Sequence, residues 1–212
     1  MAPRKIVLAQ QKGGVGKTSL AVNLACQAVA HGQKAAVIDM DVEQGSAAEW
    51  GRRRKEAGLG EPVVYTAHTN ELDGRIAKLQ NVDWIFIDSP GRDAPASSAA
   101  LRVADITIIP CRPVEDDIGP SFKAVKLISR SNGRYAYIMS LAPPQAGRSR
   151  ARKVGEELKS AGHPVSPIII VQTMSVPDAN AHGMGVNEYK PGSESAEDFS
   201  RLFAWIQGEL RR

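Results

Sequence analysis

The chain has 212 residues, 42% hydrophobic and 24% charged, with a formal net charge of +4 and a pI near 9.1. This is enough for a single α/β domain, expected over residues 1–212, with a core that needs no disulfide staples. No apolar run approaches the ~20 residues of a membrane span and the first is too short for a secretory leader, so a cytoplasmic protein without a membrane partner is expected. The basic excess permits nucleic-acid binding and does not establish it. Cys26 and Cys111 lack metal-type spacing; Cys26 falls inside a predicted helix, as a small buried apolar residue would.

Lys5–Ala9 carries the run Ile6-Val7-Leu8-Ala9 and reads as a strand. QKGGVGKTS, Gln11 to Ser19, follows at once. A helix is then predicted over Thr18–Ala30, with Leu20, Leu24 and Ala28 on one face and Gly32 as its stop. Strand, glycine-rich turn and helix form the layout of a phosphate-binding loop. Gly13, Gly14 and Gly16 free the backbone, so that N–H groups through Val15, Lys17, Thr18 and Ser19 converge on phosphate at the positive helix end. Lys17 is expected on the β- and γ-phosphates and the Thr18 hydroxyl on Mg²⁺. The first glycine position of the usual pattern holds Gln11, and a second lysine, Lys12, stands beside it.

The strand Ala35–Asp39 ends in one carboxylate, with Asp41 two residues on. The pair can serve Mg²⁺ and position an attacking water; capping and turn formation are the plainer use. Ser46 is a candidate cap for a helix through Trp50 to Ala57. A short strand, Val63–Thr66, precedes a helix capped by Asn70, with Leu72, Ile76 and Leu79 sharing a face. WIFIDSPG then forms the strand Trp84–Asp88, whose terminal Asp88 fits a Walker B carboxylate. Thr18, Asp39 and Asp88 are thus the candidate metal set.

Helix Ser97–Val103, strand Ile106–Pro110, a helix from about Pro120 to Arg130 and strand Tyr135–Leu141 come next. Helix Ser149–Ala161, strand Val165–Val171 and a helix from Ser193 or Glu194 to Leu210 complete the chain. Phe199, Leu202, Phe203, Ile206 and Leu210 give that last helix an apolar stripe, which suits docking on the sheet or, alternatively, a membrane-targeting tail. Apolar strands alternating with helices predict a mostly parallel twisted sheet with helices on both faces, and ligands beyond the strands' carboxyl ends. Arg52, Arg53, Arg54 and Lys55 form one basic run, and Arg148, Arg150, Arg152 and Lys153 another. Either is a solvated helix face or a polyanion contact. His31, His68, His163 and His182 show no ligand spacing and read as surface or turn residues.

The K-G-G-x-G-K-[ST] loop at Lys12–Thr18, the D-x-D strand end at Asp39 and Asp41, and the D-S-P-G turn at Asp88 resemble the deviant Walker A class of P-loop NTPases. The chain is most similar to short ParA-type partition ATPases of the ParA/MinD superfamily, without an N-terminal helix-turn-helix extension. The likeness extends through Ala179 to Ser193 and the last helix. In place of the family's usual Pro-Gln after the second aspartate stands Val42-Glu43-Gln44, and Gln172 and Ser175 replace arginines common after the last strand. The resemblance implies an Mg²⁺-dependent ATPase, with Asp41 orienting the hydrolytic water and adenine contacts around Ser140, Leu141, Val171, Gln172 and Thr173. It implies an ATP-driven sandwich homodimer in which Lys12 crosses to the partner's nucleotide. It further implies nonspecific binding to double-stranded DNA on the nucleoid, and release on hydrolysis stimulated by a small centromere-binding protein of the ParB or ParG kind. A MinD-like or other cargo-positioning ATPase is the alternative.

Overall fold

Alternation along the strands decides which helices lie on which side. In the computed structural model, which describes residues 2–79, 81–91, 94–130, 132–145 and 147–212, seven strands form one parallel sheet. They are β1 (Arg4–Leu8), β2 (Ala35–Asp39), β3 (Val63–Thr66), β4 (Trp84–Asp88), β5 (Ile106–Cys111), β6 (Tyr135–Ala142) and β7 (Val165–Val171), in the order β3-β2-β4-β1-β5-β6-β7. Successive side chains of a strand point to opposite faces. Ile6, Leu8, Val37, Trp84 and Phe86 therefore enter one core, while Val7, Ile38, Ile85 and Ile87 enter the other.

The first core is closed by α1 (Lys17–Ala30), α2 (Ser46–Glu56), α7 (Ser175–Ala181), α8 (Val186–Tyr189) and α9 (Glu194–Glu209). The second is closed by α3 (Leu72–Lys78), α4 (Ala94–Val103), α5 (Glu115–Arg130) and α6 (Gly147–Ser160). α1 is sheathed in apolar neighbours, with Leu24 and Ala25 fully buried. The apolar stripe of α9 lies in the first core, where Leu202, Phe203 and Ile206 have no exposure, so it docks on the sheet. Burying a side chain of that size is worth about 1.5–3 kcal/mol. Among the described residues no helix is long and apolar enough to cross a membrane.

Several boundaries differ from expectation, each for a physical reason. α5 starts at Glu115, not Pro120, and carries the proline inside it. A proline has no N–H for the carbonyl four residues back; that carbonyl, on Asp116, instead accepts Lys12 Nζ at 3.2 Å. Ser46 is the first residue of α2 and not its cap. Gly45 takes the cap position at φ 57° without a side-chain bond, and Asp39 Oδ2 accepts the Ala48 N–H at 2.9 Å from the strand end. Asn70 is not the cap of α3: Glu71 holds that position, and its carboxylate accepts the His68 N–H. At α9, Ser193 does accept the Ala196 N–H, as a helix-capping serine should.

Candidate nucleotide-binding site

Because β1 lies between β4 and β5, and β4 pairs with β2, the register sets Leu8, Asp88 and Asp39 side by side at the carboxyl edge. Beyond that edge opens a cleft of about 1190 Å³. Gln11, Gly13, Gly14, Gly16, Lys17, Thr18 and Ser19 line it from β1, Asp41 to Gln44 from β2, and Asp88 to Gly91 from β4. Val15 is fully buried beneath the loop, and its carbonyl accepts the Ser140 hydroxyl at 2.9 Å.

Two glycines are required by geometry. Gly16, at φ 92°, caps α1 in the left-handed region, so the chain turns from loop to helix within one residue. Gly91 lets the loop after β4 come close to β1, since a Cβ there would stand 2.9 Å from the Gln11 carbonyl. The same Cβ would be 3.5 Å from Lys17 Nζ, so the two loops and the lysine form one packed unit.

The charged groups face one another across this unit. Thr18 Oγ1 donates to Asp88 Oδ2 at 2.5 Å. Asp88 Oδ1 is buried and, among the described residues, has no hydrogen-bond partner. Burial pushes the Asp88 carboxyl up to about 7, against the opposing pull of the Thr18 hydrogen bond. Burial likewise holds the Lys17 ammonium below the usual lysine range, with Asp88 and Asp41 acting in the other direction. Asp39 braces the backbone: its oxygens accept the N–H groups of Asp41 at 3.0 Å and Ala48 at 2.9 Å. It fixes the loop that carries Asp41 and does not itself line the cleft, whereas Thr18 and Asp88 do. Asp41 is half-buried at the cleft wall, and its Oδ1 accepts the Gln44 N–H at 3.4 Å.

Lys12, unlike Lys17, does not line the cleft. Its ammonium lies 2.7 Å from Asp117 Oδ1 on α5, a carboxylate that Arg112 also grips. Of the five residues expected around adenine, Leu141 alone lines the cleft, with φ 49° and its side chain 3.7 Å from the Cβ position of Gly16. Ser140 and Val171 are buried. The Gln172 N–H donates to the Ala142 carbonyl, and the Thr173 hydroxyl pairs with Ser175 and Ser195. The wall that sequence reasoning missed comes from α2 and α7. Trp50, Arg53 and Asn180 line the cleft there, and Asn180 Nδ2 donates to Ser19 Oγ at 3.0 Å.

The two basic runs differ from one another. Arg54, read with the exposed run, is only 4% exposed. It bonds both Glu188 carboxylate oxygens at 2.8 Å and stacks over Trp50. Arg52 and Arg53 pair with glutamates of their own helix. In the second run Arg148 is tied to Glu194 and Asp198 of α9, whereas Arg150, Arg152 and Lys153 are exposed and make no ion pair among the described residues.

A parallel α/β sheet with a glycine loop, two lysines and a Thr–Asp pair at its carboxyl edge defines a P-loop nucleotide-binding protein. Residues 6–211 match the CobQ/CobB/MinD/ParA nucleotide binding domain, and the chain belongs to that family, as a ParA/MinD-type ATPase. It is 26% identical to the chromosome-partitioning ATPase Soj of Thermus thermophilus, across 98% of this chain and 97% of that one. It is 25% identical to the maintenance of carboxysome distribution protein A of Gloeobacter kilaueensis, across 99% and 97%. The fold superposes on the septum site-determining protein MinD of Pyrococcus horikoshii, solved with Mg-ADP, with a TM-score of 0.77, 19% identity and 96% of each chain covered.

Proposed function

We propose that the chain is an Mg²⁺-dependent ATPase that segregates DNA. Its ATP form is a homodimer that holds double-stranded DNA without sequence preference, and hydrolysis, stimulated by a small centromere-binding protein, releases it. The observation that carries the reading is the pairing of Thr18 with a buried Asp88 whose second oxygen has no partner among the described residues. An orphan buried carboxylate oxygen is costly unless a cation takes it. Thr18 and Asp88 are the residues that would hold Mg²⁺, which when bound neutralises charge on the transferred phosphoryl group. Lys17 binds the β- and γ-phosphates, and Asp41 orients the attacking water from the cleft wall. Lys12 lies outside that group on the loop's far side, a position suited to a second subunit's nucleotide. Arg150, Arg152 and Lys153 supply phosphate contacts, doubled in a dimer.

Comparable similarity to a carboxysome distribution protein supports a second reading, in which the same cycle positions another cargo. Retention on DNA-coated beads and on anionic vesicles, each with ATP and with ADP, tests the choice. DNA retention only with ATP, falling steeply with salt, is expected. Vesicle binding without DNA binding would replace partition with a MinD-like role.

A further inference from the structure

We propose that Arg112 is a positioning residue: it keeps Asp117 neutralised when Lys12 departs, and so sets how readily Lys12 becomes available. The proposal rests on the reading that Lys12 serves a bound nucleotide. Asp117 is completely buried in the first turn of α5. Two cations share its carboxylate. Lys12 Nζ stands 2.7 Å from Oδ1, while Arg112 donates from Nε to Oδ2 at 2.7 Å and from Nη2 to Oδ1 at 3.0 Å. The backbone N–H of Arg112 reaches Oδ2 as well, at 3.3 Å. Burial pushes this carboxyl up, and the Arg112 and Lys12 bonds more than offset that, holding it below the usual carboxylate range.

With Lys12 as the only counter-charge, its departure would strand an ionised carboxylate in the interior, one of the most destabilising changes a fold can suffer. Arg112 removes that obstacle. Its planar fork satisfies both oxygens at once, and it sits between β5 and α5, outside the loop that carries Lys12. The α5 end is further fixed by Gln10, whose Nε2 donates to the Asp117 carbonyl at 3.2 Å. Lys12 can therefore exchange its Asp117 contact for a phosphate while Asp117 remains paired in place.

The test reads Lys12 in the nucleotide-free chain, by its acetylation rate with an amine-reactive ester, followed by peptide mass spectrometry. Arg112→Gln should slow Lys12 acetylation about tenfold, because the lysine becomes the one cation paired with a buried charge among the described residues. Asp117→Asn should speed it beyond wild type, and the double variant should match Asp117→Asn. Arg112→Lys, which keeps the charge and loses the fork, should shift the rate the same way by a smaller factor, and carries the test if Arg112→Gln does not fold. Wild-type acetylation in Arg112→Gln, or a double variant as slow as Arg112→Gln, would overturn the proposal. In parallel, Arg112→Gln should weaken ATP-driven dimerisation about tenfold at unchanged ADP affinity. A wild-type chain that never dimerises with ATP would refute the nucleotide role of Lys12, while the acetylation order would still decide the part played by Arg112.

Discussion

Thr18 Oγ1 donates to one oxygen of Asp88 at 2.5 Å, and the other oxygen of that buried carboxylate is left without a partner among the described residues. A strand end and a helix start, seventy residues apart in sequence, thus place a buried, half-paired carboxylate at the edge of the cleft.

That carboxylate has a pH signature in the metal-free chain. Burial raises the Asp88 carboxyl to about 7, above its unfolded value, so the folded state holds the proton more tightly. Stability should therefore fall as pH rises through the interval up to about 7, by about 1.4 kcal/mol for each unit of displacement. Asp88→Asn, which keeps an acceptor for Thr18, should be more stable than wild type at pH 8 and keep only part of that advantage at pH 5. Urea unfolding in EDTA at the two pH values measures the difference. A variant with the same advantage at both would show that Asp88 is ionised throughout.

Lys17→Ala should weaken binding of a fluorescent ADP analogue by at least about tenfold, the loss of a charge-assisted phosphate contact. The folded chain should not lose thermal stability, because Lys17 is largely desolvated and makes no hydrogen bond among the described residues. A lowered melting point with unchanged nucleotide affinity would make Lys17 a packing residue.

Two arginines of one run on α2, Arg52 and Arg54, should differ sharply. Arg54→Ala leaves Glu188 without its buried partner and should cost about 3–5 kcal/mol. Arg52→Ala, on the exposed side, should cost far less, because its ion pairs are screened by solvent. Denaturant titration of the two variants decides. Equal effects would remove the distinction between the pinning arginine and the solvated one.

Much of the framework was legible from local pattern. Val63–Thr66, Trp84–Asp88 and Val165–Val171 stand where an apolar run between breakers places them, and the loop from Gln11 to Ser19 carries its own backbone signature. What escaped depends on contacts between distant residues. α7 and α8 are a few residues long, separated by Gly183 and Gly185, and too short to show a helical period. The first turn of α5 hid behind Pro120, because the carbonyl that the proline leaves open is bonded by Lys12, more than a hundred residues away. Asp39 reads as a metal ligand from its place at a strand end, and only the fold shows that its oxygens also accept the N–H groups of Asp41 and Ala48. In the same way nothing local separates Arg54 from Arg52.

The DNA surface should map to Arg150, Arg152 and Lys153 and not to Arg148, which α9 holds. Arg150→Glu with Arg152→Glu should abolish retention on DNA at low salt while leaving ATP-dependent dimerisation intact. In the wild type the log–log salt slope should be about −0.9 per phosphate neutralised. Retention unchanged by the double reversal would move the contact to another face.

The central claim, that ATP drives a dimer completed by Lys12, is tested most directly by sedimentation velocity with ATP, with ADP and without nucleotide. Asp41→Ala should accumulate as a dimer with Mg²⁺ and ATP, because it still binds nucleotide and cannot hydrolyse it. Wild type should be monomeric in ADP, and Lys12→Ala should stay monomeric in every condition while retaining nucleotide. One mass for the wild type and for Asp41→Ala across ATP, ADP and no nucleotide would contradict the account.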